Sequence, residues 1–447
     1  MTTPGPEAAD DTLHRLLAGT YPDPDGGAPL GVPTRRVVIA PSLEGDEAAL
    51  VRSLDFGSRL AVVSDPDTHA ALGARVERAL AAPGPVQPVH LPRRPHADME
   101  TVNALAQEVA AADALIAVGS GTINDLCKMV AARSGKPYAV FATAPSMNGY
   151  ASANASIREH GHKRTFPARA PVGVFIDLGV LAAAPARLIR AGLGDSLCRP
   201  TAQADWLLAH LLLGRPYREA PFRLLAADEE ALFDGAAGLL RGDLEVMERL
   251  ARTLVLSGFG MTICGGSHPA SQGEHLISHY LEMTADPGDP SDPKCPAPFH
   301  GEQIAVTTLT MARLQAAILD APAPVVRPPA LAEGEFVARF GACTGRACWA
   351  EFALKRLDAA AAEALTATLA ARWDDIRARI LAVTVPVPRL EAVLAAVDAP
   401  RRPRDLRWSA AAYRDALVHA REIRNRYTFL DLAVDCGLFA RMGTDAP

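Results

Sequence analysis

No Cys-x-x-Cys pair occurs in the chain, and its seven cysteines are scattered and odd in number. That pattern excludes a zinc ribbon or a disulfide scaffold and points to free thiols in a reducing cytoplasm. No apolar stretch approaches the ~18 residues that a membrane-spanning helix needs. Basic runs are also missing, and the formal net charge is −6, which argues against nucleic acid or an anionic membrane surface as partner. The segment 1–11 is acidic and lacks an apolar centre, unlike a secretory leader. No internal repeat is visible. What remains is 447 residues, 49% hydrophobic and 21% charged, which is material for two or three ordinary globular cores.

The first 32 residues are rich in Pro, Gly and Asp and are expected to form a loosely ordered arm. From 33 to 183 short apolar runs ending in breakers alternate with helical periodicity. The runs are Arg36–Pro41, Arg59–Asp65, Val86–Leu91, Ala114–Val118, Lys136–Thr143 and Val172–Asp177. Strands of that length alternating with helices predict a parallel α/β sheet, a dinucleotide-binding type of domain with ligands at the carboxyl ends of its strands. From 184 to 447 the apolar spacing is three to four residues throughout, which predicts an all-α domain. A cleft between the two domains is the expected place for a site.

Three places in the α/β part and one constellation in the helical half are candidates for chemistry. Gly119-Ser-Gly-Thr-Ile-Asn-Asp125 follows the strongest strand; its glycines and the next helix's N–H groups suit an anion, although a plain tight turn uses the same residues. Asp65 ends an earlier strand and suits either a ribose hydroxyl or the capping of the helix that begins Pro-Asp-Thr. His160-Gly-His-Lys-Arg-Thr165 is a basic loop or hairpin, either solvated or a clamp for a phosphate. In the helical half, His275 and His279 are four apart and share one helical face. With Asp195 after Ala-Gly-Leu-Gly and His300 before Gly-Glu, a carboxylate and imidazoles become available for zinc or a similar ion. Each histidine taken singly also suits a packing or capping role. A zinc-protease motif is excluded, because Leu276 stands where that motif has its glutamate.

These segments, together with Ala144-Pro-Ser-Met-Asn-Gly-Tyr150 and Arg424-Asn-Arg-Tyr-Thr-Phe-Leu-Asp431, resemble the sn-glycerol-1-phosphate dehydrogenase family of the iron-containing alcohol dehydrogenase and dehydroquinate synthase superfamily. The likeness runs in order from about residue 33 to 440, leaving out the arm and the Pro/Asp-rich loop at 286–298. The resemblance implies metal ligands at Asp195, His275 and His300, with His279 facing the substrate. It implies a pyrophosphate cradle of Gly119, Ser120, Gly121 and Thr122, with Asp125, Thr143 and Ser146 nearby and Asp65 on the adenosine ribose. His162, Lys163, Arg164 and Arg199 are candidates for a substrate phosphate. Where the family usually has aspartate before Gly-Tyr, this chain has Asn148, which can hydrogen-bond but carries no charge and cannot act as a base.

The implied activity is hydride transfer between NAD or NADP and a small phosphorylated hydroxy ketone, with one divalent metal (zinc, nickel or iron) in a cytoplasmic homodimer. A carbocycle-forming enzyme of the dehydroquinate synthase type, or a retuned nucleotide-binding relative, are the alternatives.

Overall fold

The computed structural model describes residues 6–82, 84–159, 162–284 and 297–439, with the backbone alone for 6–11, 162 and 163. Six strands form one sheet: β1 (Arg36–Ala40), β2 (Leu60–Ser64), β3 (Val86–His90), β4 (Ala114–Gly119), β5 (Tyr138–Ala142) and, after a hairpin of β6 (Asn154–Glu159) and β7 (His162–Pro167), β8 (Gly173–Asp177). Their order is β1-β8-β5-β4-β2-β3, and every neighbouring pair is parallel. β4 and β5 are buried along their whole length, which is why they read as continuous apolar runs rather than alternating ones. Each expected strand is present; β4 runs one residue further, to Gly119, and the other five are shorter by one to three residues.

Chain order places the functional edge. From β2 the chain moves outward to β3, and from β4 it moves the other way to β5. The loops after β2 and β4 therefore leave in opposite directions from adjacent strands, the point at which parallel sheets open a crevice at their carboxyl edge. The helix Gly121–Ser134 follows β4 directly, and Gly135 ends it at φ 73°, the left-handed position that favours glycine.

By contact the chain divides into two compact units. The first holds residues 1–196 and 218–267, the second 197–217 and 268–447. The helices at 220–263 thus group with the sheet, unlike the expected division at 183/184. The reason is local. Gly258, inside the helix Leu244–Ile263, lies so close to the 151–152 backbone that a Cβ there would stand 2.9 Å from the nitrogens of Ala151 and Ser152. Four residues on, Thr262 Oγ1 accepts a hydrogen bond from Ala153 N at 3.1 Å.

The arm differs from expectation as well. Leu16, in the helix Pro6–Leu17, is buried, and Tyr21 bridges to Leu30. Asp23 and Asp25 both pair with Arg218, and Asp25 accepts the N–H groups of Glu219 and Ala220. Its acidic residues are anchors, so the described part of the arm is fastened to the first unit.

The second unit is helical. The helices Arg199–Leu213, Gly273–Thr284, His300–Asp320 and Ala359–Leu381 share a core that includes Leu208, Ile277, Val306, Leu369 and Phe429. Two further helices, Glu333–Phe340 and Ala342–Ala353, pack on each other where Gly345 meets the Phe336 carbonyl. No helix of the described residues is long and apolar enough to cross a membrane.

Alanine at a helix-interior glycine ordinarily stabilises by up to ~1 kcal/mol. Gly258→Ala should do the reverse, lowering stability by about 1–3 kcal/mol as overpacking does. Urea unfolding of the two proteins measures this, and equal or greater stability of the variant would contradict the close contact.

Candidate metal centre and nucleotide-binding edge

In the first unit, Asp65, Gly119–Thr122 and Thr143–Ser146 follow β2, β4 and β5, three consecutive strands of the sheet. Gly119 pairs in register with Ala142, and Thr143 N donates to Gly119 O at 3.2 Å, so the two loops start side by side. A Cβ on Gly119 would stand 2.5 Å from Ile123 Cβ; this glycine is required by the packing of the helix on β4. Ser120 caps that helix with backbone only, its side chain making no cap hydrogen bond. The first-turn N–H groups and the helix dipole are thereby presented at the sheet edge, an arrangement suited to a phosphate.

Asp65 Oδ1 accepts Asp67 N at 3.0 Å and Thr68 N at 2.8 Å, and Thr68 Oγ1 takes Asp65 N in return. The capping alternative of the sequence is met in full. Asp125 has its carboxylate on Lys128 Nζ at 3.4 Å and on Ser156 N at 3.1 Å, tying the helix to β6. Lys128 itself is buried and also donates to Gly149 O, Ser152 Oγ and Asn154 O; burial lowers its ammonium pKa and Asp125 opposes that shift.

Asp195 lies near the end of the helix Ala186–Leu197. Its Oδ2 accepts the backbone N–H of Asn148 at 2.7 Å, and the Asn148 amide donates to the Asp195 carbonyl at 3.5 Å. The Asn148 side chain thus offers a donor that an aspartate would not.

In the second unit three imidazoles converge. The ring centroids of His275 and His300 are 5.1 Å apart, those of His275 and His279 5.7 Å, and those of His279 and His300 5.7 Å with the rings nearly parallel at 18°. His275 is buried, whereas His279 and His300 are partly exposed. The buried Glu274 accepts Gln272 N at 2.7 Å and holds His275 Nδ1 at 2.9 Å. A carboxylate on Nδ1 keeps the proton there and leaves the Nε2 lone pair for a ligand, the arrangement typical of metal-bound histidine. Glu302 reaches back to Phe299 N at 2.7 Å and fixes the start of the helix that His300 opens. Gln303 and Ser278 bond at 2.8 Å across the two histidine-bearing helices. Sequence reasoning missed Glu274; its place beside His275 was the available signal.

The basic candidates separate. Arg164 pairs with Glu159 at 2.8 Å across the β6–β7 hairpin, well exposed, which is the solvated-hairpin alternative. The side chains of His162 and Lys163 lie outside the described residues, as does the 286–298 loop up to residue 296. Arg199 opens the helix of the second unit that follows Cys198, and burial pushes its guanidinium down to about 9, still protonated at neutral pH.

A profile of iron-containing alcohol dehydrogenases matches residues 38–185. Over 280 residues the chain is 35% identical to the glycerol-1-phosphate dehydrogenase (NAD(P)+) of Pyrococcus furiosus, an alignment covering 63% of this chain and 78% of that one. The enzyme of the same name from Bacillus licheniformis is 36% identical over 249 residues, 55% of this chain and 62% of that one. The fold is shared with NADH-dependent butanol dehydrogenase A of Thermotoga maritima, at a TM-score of 0.56 and 14% identity, covering 89% of this chain and 91% of that one. Sheet order, strand-end loops and the extent of identity together place this chain in the glycerol-1-phosphate dehydrogenase family, within the iron-containing alcohol dehydrogenase superfamily.

Proposed function

We propose that the protein is a metal-dependent, NAD(P)-linked dehydrogenase that interconverts a small phosphorylated hydroxy ketone of the dihydroxyacetone phosphate type and the corresponding alcohol phosphate. The observation that carries the reading is the convergence of His275, His279 and His300 with Glu274 fixed on His275 Nδ1. A buried histidine held in the ligand tautomer suits a divalent ion better than a packing role.

Asp195, His275 and His300 are assigned as the metal ligands, and their donors suit zinc, with nickel or iron using the same atoms. When bound, such an ion polarises the substrate carbonyl, and the reduced nicotinamide supplies the hydride. The chain's own residues bind, orient and move the proton. The 119–122 loop and the N-terminus of the 121–134 helix hold the pyrophosphate. Asp65, with Oδ1 engaged in capping, offers its second oxygen to a ribose hydroxyl. That carboxylate disfavours a 2′-phosphate and leans the choice toward NAD. Asn148 N keeps the Asp195 carboxylate oriented, and the Asn148 side chain faces substrate hydroxyls. In the reducing direction one proton must reach the carbonyl oxygen as the hydride reaches carbon, and an imidazole nitrogen of His279 is assigned to donate it. Arg199 is assigned to the substrate phosphate, and a cytoplasmic homodimer is the proposed setting.

With dihydroxyacetone phosphate as substrate, NADH or NADPH absorbance should fall at a rate that a chelator abolishes and added zinc, nickel or ferrous ion restores. His275→Ala and Asp195→Asn should each cost at least ~100-fold in kcat/KM, a loss of about 2.7 kcal/mol of transition-state stabilisation. Full activity after metal removal, or in both variants, would overturn the site. Phosphate release without net change in reduced cofactor would instead mark a cyclising enzyme.

Glu274→Gln should weaken metal binding by 10–100-fold, as losing the partner of a ligating histidine does. Competition against a chromogenic chelator reads that directly, and unchanged affinity would remove Glu274 from the centre.

A further inference from the structure

Away from that centre, at the edge of the first unit, three side chains come together that the proposed activity does not use. His69 Nε2 lies 3.2 Å from Glu77 Oε2, and His90 Nε2 lies 3.9 Å from Glu77 Oε1. The two imidazole rings meet edge to face with centroids 4.7 Å apart. One donor atom from each residue falls within 4.8 Å of the other two. We propose that His69, Glu77 and His90 form a second divalent-metal site, of zinc type.

The geometry is close to what a tetrahedral ion requires. At metal–nitrogen and metal–oxygen distances of 2.0–2.2 Å, neighbouring ligand atoms of a tetrahedron stand about 3.3–3.6 Å apart. His69 Nε2 and Glu77 Oε2 already stand at about that spacing, His90 Nε2 must close by roughly half an ångström on Glu77 Oε1, and all three donors start within 4.8 Å of one another. His69 is about one-third exposed and His90 half-exposed, so both rings can turn to make that adjustment and a water can take the fourth position. Two imidazoles and one carboxylate select zinc, nickel, cobalt or copper over calcium or magnesium, which prefer all-oxygen shells.

Two further observations point to a ligand. Glu77 Oε1 is buried and accepts no hydrogen bond, an arrangement that leaves a carboxylate oxygen unsatisfied at a cost in stability. A cation between it and His90 Nε2 would satisfy both atoms. His90 Nδ1 meets Ser64 Oγ at 3.4 Å; with the proton on Nδ1, the Nε2 lone pair points toward the carboxylate.

The backbone brings the ligands into line in an unusual way. Between His69 and Gly73 the helix is of π type, flanked by α-helix on both sides. Residues eight apart on an unbroken α-helix are rotated by about 80° from each other. The π turn absorbs one extra residue, so Glu77 stands almost under His69, as a residue seven positions on would. Gly73 clears the path: a Cβ there would stand 3.2 Å from His69 Cδ2. β2 and β3 are adjacent, and Ser64 pairs in register with His90, which sets the third ligand beside the other two. Bound metal would clip the helix after β2 to the end of β3.

Equilibrium dialysis of the full chain against zinc, with the bound metal counted by atomic emission, tests the site. His90→Asn and Glu77→Gln should each bind one equivalent fewer than wild type, with unchanged circular dichroism. That difference of one is expected whether or not the Asp195, His275 and His300 centre binds its own ion, so failure of either reading is told apart from failure of the other. Cobalt substitution should add the intense visible absorption of a tetrahedral ion to wild type and less of it to the two variants. Equal stoichiometry in wild type and both variants overturns the proposal.

Discussion

The carbonyl oxygen of Pro145 occupies the place that a side chain on residue 192 would fill. A Cβ at Gly192 would stand 1.5 Å from that oxygen and 2.7 Å from its carbon, so no other residue fits without moving the backbone. This single close approach presses the loop after β5 against the helix that carries Asp195. The peptide of Asn148 then reaches the carboxylate at 2.7 Å. A glycine inside a helix costs stability in its own right, and here it is the condition for placing a carboxylate oxygen at a chosen point. Further fastenings hold the same loop: Tyr150 hydroxyl donates to Ala144 O, and Asn124 Nδ2 donates to Tyr150 O at 3.2 Å.

Lys128 extends that logic into the energetics of the sheet edge. An ammonium removed from water is tolerated only where its donors are met. Here Asp125, Gly149 O, Ser152 Oγ and Asn154 O meet them. Those acceptors come from the 121–134 helix and from the segment between the Asn148 loop and β6, so one buried charge welds the anion-facing helix to the loop that orients Asp195. The helix after the glycine loop and the loop that meets Asp195 are thus coupled through one buried side chain.

How much of this was legible in the sequence follows from the range of each interaction. The strands were legible because a buried parallel strand is a short apolar run between breakers, a purely local signature. The strand-end glycines, the histidine pair and the ordered motifs were legible for the same reason. The helix under Asp195 was not, because Gly192 and Gly194 lower helix propensity and only the remote Pro145 carbonyl explains one of them. Nor was the grouping of 220–263 with the sheet, which rests on Gly258 meeting residues 151–152 across more than a hundred positions of chain. The arm misled for a related reason. Asp23 and Asp25 look like solvated acids until Arg218 is found beside them. Asp125 belongs here too, its carboxylate turned to Lys128 and β6 although its position in the glycine loop suggested a cofactor contact.

The pair at 275 and 279 shows how one helical face can hold two environments. Spacing of four aligns the side chains but does not equate them. His275 lies on the buried side, only 4% exposed, with Glu274 on Nδ1. A histidine so held has lost the freedom to turn, as ligating imidazoles ordinarily have. One turn on, His279 is partly exposed and stacks on His300 at 5.7 Å. The difference arises from neighbours and depth, not from the residue type. Glu274 sits one position before the first histidine and reaches it by folding back along the first turn; nothing equivalent precedes His279, where Ser278 spends its hydroxyl on Gln303. The two identical side chains are therefore set apart by the residues that stand immediately before them.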